Sequence, residues 1–395
     1  MIMDDKKKFE TLAVRLQAKR SLHHEHSVPI FETSSFVFDS AEEARAVFAD
    51  EVPGNIYTRF ANPNTDEFIS KLCALEGAED GIATASGMAA VFLSITALLR
   101  PGDHILASRQ IFGTTHLLLT QILPKWCISH TYADNNNKQE WLDNIMPATR
   151  MIYTETPSNP GLDIIDLKWI GKLVQKHNLY LVIDNCFATP YLQNPLKYGA
   201  DLVIHSATKF IDGQGRTISG AVLGNKEIMQ EVRTLSRIIG PVMSPHTAWI
   251  LSKSLETLSV RMERHCSNAL GLARFLEKNT DLIWVKYPFL PSHPQYKLAR
   301  RQMKLGGGLV TFELKGGLKR AHRFIDALRM MSITSNLGDT RTSVTHPATT
   351  THSKLTPAER KESGITDGMI RVSVGLEHID DIIADFDQAV RQSRR

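Results

Sequence analysis

Asp201-Leu-Val-Ile-His-Ser-Ala-Thr-Lys209 is the stretch on which the fold reading turns. An apolar, β-branched run ends in His205 and then places Ser206, Thr208 and Lys209 just past its C-terminal end. That edge of an open α/β sheet is where ligands bind. A lysine there can form an imine with an aldehyde cofactor, and the two hydroxyls beside it can hold a phosphate. Taken alone, the run is equally a surface lysine that follows a strand. A second apolar run, Leu179-Tyr-Leu-Val-Ile-Asp-Asn-Cys186, delivers Asp184 in the same way. A half-buried carboxylate is costly without a partner. A protonated pyridine nitrogen would be one, and the cationic ring would draw electrons from a substrate carbanion. A helix cap or a structural ion pair would also account for Asp184. The third element is Thr84-Ala-Ser-Gly-Met-Ala-Ala90, which follows a strand and opens a helix. Gly87 permits close backbone approach, and the first free N–H groups of the helix point outward. Ser86, Gly87 and Met88 thus form an anion site, and Ser206 and Thr208 supply the other side of a phosphate cup.

Outward from these runs, strands and helices alternate. Strands are expected near 81–85, 103–107, 127–132, 151–155, 179–183, 202–205 and 220–223, and helices near 88–99, 114–123 and 167–177. The rhythm implies an α/β domain whose mainly parallel, seven-stranded sheet is flanked by helices on both faces. Residues 1–60 read as an extended N-terminal arm, 61–255 as the cofactor-binding domain, and 256–395 as a smaller α+β domain. Ser244-Pro245 reads as an N-cap with proline at the first helical position. The helix it starts is expected to run through Trp249, Leu255 and Leu258 to about 265. Beyond it, Gly306-Gly-Gly308 leads into a strand at 309–314. A helix near 318–330, a strand at 369–374 and a closing amphipathic helix at 377–392 follow.

Composition excludes several classes. Lys and Arg total 46 against 42 Asp and Glu, a net charge of +4, with no basic block to suit nucleic acid or a membrane surface. The four cysteines are widely spaced, which favours buried thiols over a zinc site or disulfides. His23, His24 and His26 lack a partnering Cys/Asp pattern, so no metal is expected. The charged Met1-Ile-Met-Asp-Asp-Lys-Lys-Lys8 does not resemble a signal peptide, and the apolar stretch at 88–99 is too short to span a bilayer. A cytoplasmic enzyme is the expectation.

The runs already quoted resemble the Cys/Met-metabolism family of pyridoxal-phosphate-dependent enzymes, of fold type I. So do Pro29-Ile-Phe-Glu-Thr-Ser-Ser-Phe36, Tyr57-Thr-Arg-Phe-Ala-Asn-Pro-Asn64, Glu155-Thr-Pro-Ser-Asn-Pro160, Leu255-Glu-Thr-Leu258 and Arg371-Val-Ser-Val-Gly-Leu-Glu377. The motifs occur in family order over nearly the whole chain. The resemblance implies pyridoxal 5'-phosphate bound at Lys209, with Asp184 at its ring nitrogen and Phe112 stacked on its ring. It implies that Asn159 lies near the phenolic oxygen and that Arg371, with Asn336, holds the substrate carboxylate. Tyr57 and Arg59 would reach the cofactor phosphate of a neighbouring subunit. That makes a homo-oligomer with shared sites, by family habit a dimer of dimers.

Within the family, the stacking aromatic falls at Phe112, in Ile111-Phe-Gly-Thr-Thr-His116, where lyases and cystathionine synthases usually carry tyrosine. Phenylalanine keeps the stacking surface and has no proton to give. Leu117 stands where cystathionine-forming relatives often have arginine. Asn336-Leu-Gly-Asp-Thr340, Thr345-His-Pro-Ala-Thr-Thr-Thr-His352 and Cys186 resemble the homoserine sulfhydrylases. The compact length and Glu25-His-Ser-Val-Pro29 resemble the O-succinylhomoserine branch. The implied reaction is γ-replacement of an O-acylhomoserine by sulfide to give homocysteine. The alternatives are a methionine or cystathionine γ-lyase and a cystathionine γ-synthase. Arg109, Arg216 and Arg341 are candidates for an acyl carboxylate, with none singled out.

Overall fold

The computed structural model describes residues 7–394. Most of the charged N-terminal run, residues 1–6, lies outside the described residues, as does Arg395. Seven strands form the larger sheet: β1 (Asp80–Thr84), β2 (His104–Ser108), β3 (Ser129–Ala133), β4 (Thr149–Glu155), β5 (Tyr180–Asp184), β6 (Leu202–His205) and β7 (Gly220–Gly224). Their order is β1-β7-β6-β5-β4-β2-β3. The strands from β6 to β3 run parallel, as their intervening helical crossovers require. β7 is antiparallel to both β1 and β6. The reason is local: residues 206–219 contain no helix to carry the chain back, so the strand after them reverses. The same short connection bears Ser206, Thr208 and Lys209.

The central strands are apolar on both faces. Ile105, Leu106, Val182, Ile183, Val203 and Ile204 are fully buried, which is the pattern of a sheet covered by helices on each side. Truncating one of these to alanine would cost about 2–5 kcal/mol.

A second sheet holds β8 (Leu282–Lys286), β9 (Leu309–Leu314), β10 (Ser332–Ile333), β11 (Ser343–Thr345) and β12 (Met369–Ser373), in the order β10-β11-β12-β9-β8. Its apolar side packs on the helices Leu258–Glu277, Gly317–Ala327 and Ile379–Gln392 through Phe312, Phe324 and Phe386.

Two expectations need correction. The helix begun at Ser244 is not continuous. It ends at Leu255, and a new helix starts at Leu258. Buried Arg261 donates to the Ser254 carbonyl at 2.9 Å, and the Thr257 N–H reaches the same oxygen at 3.3 Å, a tightened turn that stands in place of the next α-helical bond. The N-terminal arm is also not wholly extended. It contains the helices Phe9–Arg15 and Ala41–Phe48, the first anchored by Phe9 edge-on to Tyr191.

Candidate active site

Three parallel strands end in polar side chains at one edge: Glu155 on β4, Asp184 on β5 and His205 on β6. The register pairs Glu155 directly with Asp184. His205 Nε2 lies 2.8 Å from Glu76 Oε2, both fully buried, and this ties the end of β6 to the helix Pro63–Glu76. Lys209 is thereby placed one turn beyond a fixed point. A cavity of about 560 Å³ opens at this edge, and Arg371 and Asn336 from the second sheet's side complete its wall.

Burial pushes the Asp184 carboxyl up to about 6, against the N–H that Cys186 donates to Oδ1 at 3.0 Å. Asp184 has no ion pair among the described residues. Glu155 is driven well above the usual carboxylate range by burial and by Asp184 beside it. Its Oε2 accepts the Phe112 N–H at 2.9 Å, so this carboxyl sets the entry to the loop that carries the ring. Lys209 is lowered, chiefly by burial, and its Nζ donates to Asn336 Oδ1 at 2.7 Å. Arg371 is 2% exposed and is lowered to about 10 by burial. Its guanidinium donates to Asn159 Oδ1 at 3.0 Å and to the Ser335 carbonyl at 2.9 Å, with no ion pair among the described residues. A buried cation left in this way is a receptor for a carboxylate.

At the far end, Ser86 caps the helix Gly87–Thr96 by accepting the Ala89 N–H at 3.1 Å. The N–H groups of Gly87 and Met88 have no partner in the helix. A Cβ at Gly87 would sit 2.6 Å from the Ser206 Cβ, so only glycine lets the turn and Ser206 close around a common space. Ser206 Oγ is free among the described residues. Thr208 is not: its hydroxyl donates to the Ser219 carbonyl at 3.1 Å and accepts the Ser219 N–H at 2.9 Å. A phosphate contact from Thr208 requires that hydroxyl to rotate.

These features fit pyridoxal phosphate. An anion cup, an unpaired carboxylate and a partly desolvated amine line one cavity, and Phe112 offers its wall an aromatic face. Ser86, Gly87, Met88, Phe112, Asn159, Asp184, Ser206, Thr208, Lys209, Asn336 and Arg371 all border it. Tyr57 and Arg59 do not. Tyr57 is 42% exposed, while Arg59 lies over the Phe60 ring and donates to the Arg237 carbonyl. Glu155 escaped the sequence reading, although it ends its strand just as Asp184 does. Of the three candidate arginines Arg216 reaches the cavity, while Thr217 and Thr351 reach it from loops that carry no pattern of their own.

Fold and site together define a pyridoxal-phosphate enzyme of fold type I. The sequence matches the Cys/Met metabolism PLP-dependent enzyme family over residues 10–391, and the chain belongs to that family. It is 48% identical to an O-succinylhomoserine sulfhydrylase of Pseudomonas aeruginosa, over 96% of this chain and 94% of the relative. It is 41% identical to an L-methionine gamma-lyase of Fusobacterium nucleatum, over 97% and 98% of the two chains. A Campylobacter jejuni structure assigned as an O-acetylhomoserine (thiol)-lyase superposes with a TM-score of 0.93 at 33% identity, over 98% of this chain and 100% of the other. That structure contains N'-pyridoxyl-lysine-5'-monophosphate.

Proposed function

We propose that the chain catalyses γ-replacement on an O-acylhomoserine, with the O-succinyl ester as substrate and sulfide as the incoming nucleophile. The Cγ–O bond breaks and the acylate leaves. Hydrosulfide adds at the same carbon, giving homocysteine for methionine biosynthesis. The observation that carries this reading is Phe112 at the cavity wall beside Lys209, Asn159 and Arg371. The site has a ring to stack and a carboxylate receptor, and at that position no hydroxyl to protonate a departing thiolate. The Pseudomonas aeruginosa relative supports the same activity.

In this reading Ser86, Gly87, Met88, Ser206 and Thr208 hold the cofactor phosphate. Asp184 would pair with the ring nitrogen, Phe112 would cover the ring, and Asn159 would meet the phenolic oxygen. The cofactor that Lys209 would carry at rest would supply an electron sink for the charge left at Cα, with Lys209 freed as an amine when the substrate's amino group takes its place. Arg371 holds the substrate carboxylate, with Asn159 and Ser335 fixing the plane of its guanidinium. Lys209 takes the proton from Cα and then moves one at Cβ. Burial lowers its proton affinity, which favours the free base relative to an exposed lysine. Asn336 sets the direction of the amine. Tyr57 and Arg59 complete the phosphate site of a neighbouring copy in a homotetramer, and the enzyme works in the cytoplasm.

Product analysis tests the reading. Purified holoenzyme is given O-succinylhomoserine or O-acetylhomoserine, each with and without sulfide, and separately L-methionine and cystathionine. Sulfide-dependent homocysteine is the expected product. Lys209→Ala should lower its rate at least about a thousandfold and abolish the visible absorbance of the lysine-bound cofactor. Release of 2-oxobutanoate from methionine or cystathionine without sulfide would establish a γ-lyase instead. The Fusobacterium nucleatum relative makes that the competing activity.

A further inference from the structure

We infer that Arg216 recognises the leaving acyl group by binding the distal carboxylate of a dicarboxylic monoester. The inference rests on the γ-replacement reading and adds what distinguishes the succinyl from the acetyl ester.

Arg216 sits in the helix-free connection between β6 and β7, the segment that also carries Lys209, and its side chain borders the cavity. Fully buried Asp212 holds it in place. Asp212 Oδ2 accepts the Arg216 backbone N–H at 2.7 Å, and Oδ1 accepts Nε–H at 3.0 Å. Nη2 donates to the Asp212 carbonyl at 3.1 Å and to Ser254 Oγ. Arginine has five N–H donors in a rigid plane. Nε and Nη2 are used, and the two donors of Nη1 have no partner among the described residues. The guanidinium is therefore fixed on one edge and open on the other, with 37% of the side chain exposed. The rotamer entropy that an exposed arginine must lose on binding an anion is already spent.

Asp212 does not cancel the local charge. Arg261 lies under the same loop, donating to the carbonyls of Phe210, Ile211 and Ser254, and it too feels Asp212. Around the loop Arg216, Arg261 and Arg341 face Asp212 and Asp339, three cations against two carboxylates, leaving a net positive charge.

The other two candidates are accounted for. Arg109 is paired with Glu140 and Glu362, and Arg341 with Asp339 and the Gln214 carbonyl. Neither borders the cavity. Its arginines, among the described residues, are Arg371 and Arg216. O-Succinylhomoserine brings two carboxylates, one for each. O-Acetylhomoserine and methionine bring one.

The test compares three esters of homoserine on the wild-type holoenzyme: succinyl, its terminal carboxamide analogue, and acetyl. The expected result is a kcat/KM roughly ten- to a hundredfold lower for the carboxamide than for the carboxylate, mostly through KM. In Arg216→Gln the succinyl-to-acetyl ratio of kcat/KM should fall towards one. Calorimetric titration of succinate into holoenzyme should show binding to wild type that weakens by a similar factor in Arg216→Gln. A carboxamide ester as good as the succinyl ester in wild type overturns the inference while leaving sulfhydrylase activity in place. Since the wild-type comparison needs no variant, it can overturn the inference even where Arg216→Gln fails to fold. If no ester yields homocysteine, the γ-replacement reading falls and the succinate titration alone decides Arg216. Binding lost in Arg216→Gln then upholds the carboxylate site, and equal binding overturns it.

Discussion

Asp184 and Glu155 stand side by side on adjacent parallel strands, and each resists ionisation in the cofactor-free chain. For Asp184 the folded value is about 6 against an ordinary 3.8. A raised carboxyl contributes stability below the ordinary value and loses it as pH rises through the folded one. Apoenzyme should therefore lose stability between pH 3.8 and about 6 by a part that Asp184→Asn lacks. Thermal melts of both apo forms across that window check this, and parallel curves would show that Asp184 is not the group titrating. Glu155 serves a different end, since its carboxyl receives the Phe112 N–H. Glu155→Ala leaves that donor without an acceptor and should cost about 1–3 kcal/mol in chemical denaturation. Glu155→Gln keeps a carbonyl oxygen in place and should cost less than half as much.

Among the elements, the turn from β1 into the helix Gly87–Thr96 places the cup that would hold the phosphate. Gly87→Ala drives a methyl to within 2.6 Å of the Ser206 Cβ. The expected outcome is a cofactor affinity at least about tenfold weaker, read by absorbance titration of apoenzyme, with a stability loss of about 1–3 kcal/mol. This turn, β6 and the end of β5 could all be read from the chain, because an apolar run that stops at a polar or small residue marks a strand's end wherever the sheet is covered on both faces. Other elements resisted that reading for physical reasons. At the break after Leu255 Arg261 binds the Ser254 carbonyl together with those of Phe210 and Ile211, which lie far away in sequence. β10 and β11 span two and three residues, too short for any period to show. Arg216 is one of three candidate arginines in the sequence, and only tertiary packing, which also brings in Thr351, sets it apart from Arg109 and Arg341. Glu155 carries the same signal as Asp184, an acidic residue ending an apolar strand, but stands at the head of a Pro-rich motif that gives it no separate role.

At the scale of the whole molecule, Leu22 and Val37 each leave 96% of their surface in water on the N-terminal arm. Tyr57 and Arg59 lie at the end of the same arm and outside their own chain's cavity. On the proposed assembly a second copy covers this arm, and an isologous contact would carry Arg59 of each copy to the other's site. The arrangement predicts complementation. A dimer of one Arg59→Ala chain and one Lys209→Ala chain has one site with Lys209 from the first and Arg59 from the second, and one site with neither. Random mixing makes half the dimers mixed, so about a quarter of all sites should be intact, while each variant alone has none. Co-expressing the two chains with different affinity tags and isolating doubly tagged protein raises the expected fraction to about half for a dimer and to about two-sevenths for a dimer of dimers. Homocysteine formation near that level, together with cofactor absorbance at about half the sites, would place Arg59 across the interface. Activity no greater than the sum of the separate variants would return Arg59 to a role within its own chain, where its contact with the Arg237 carbonyl already gives it one.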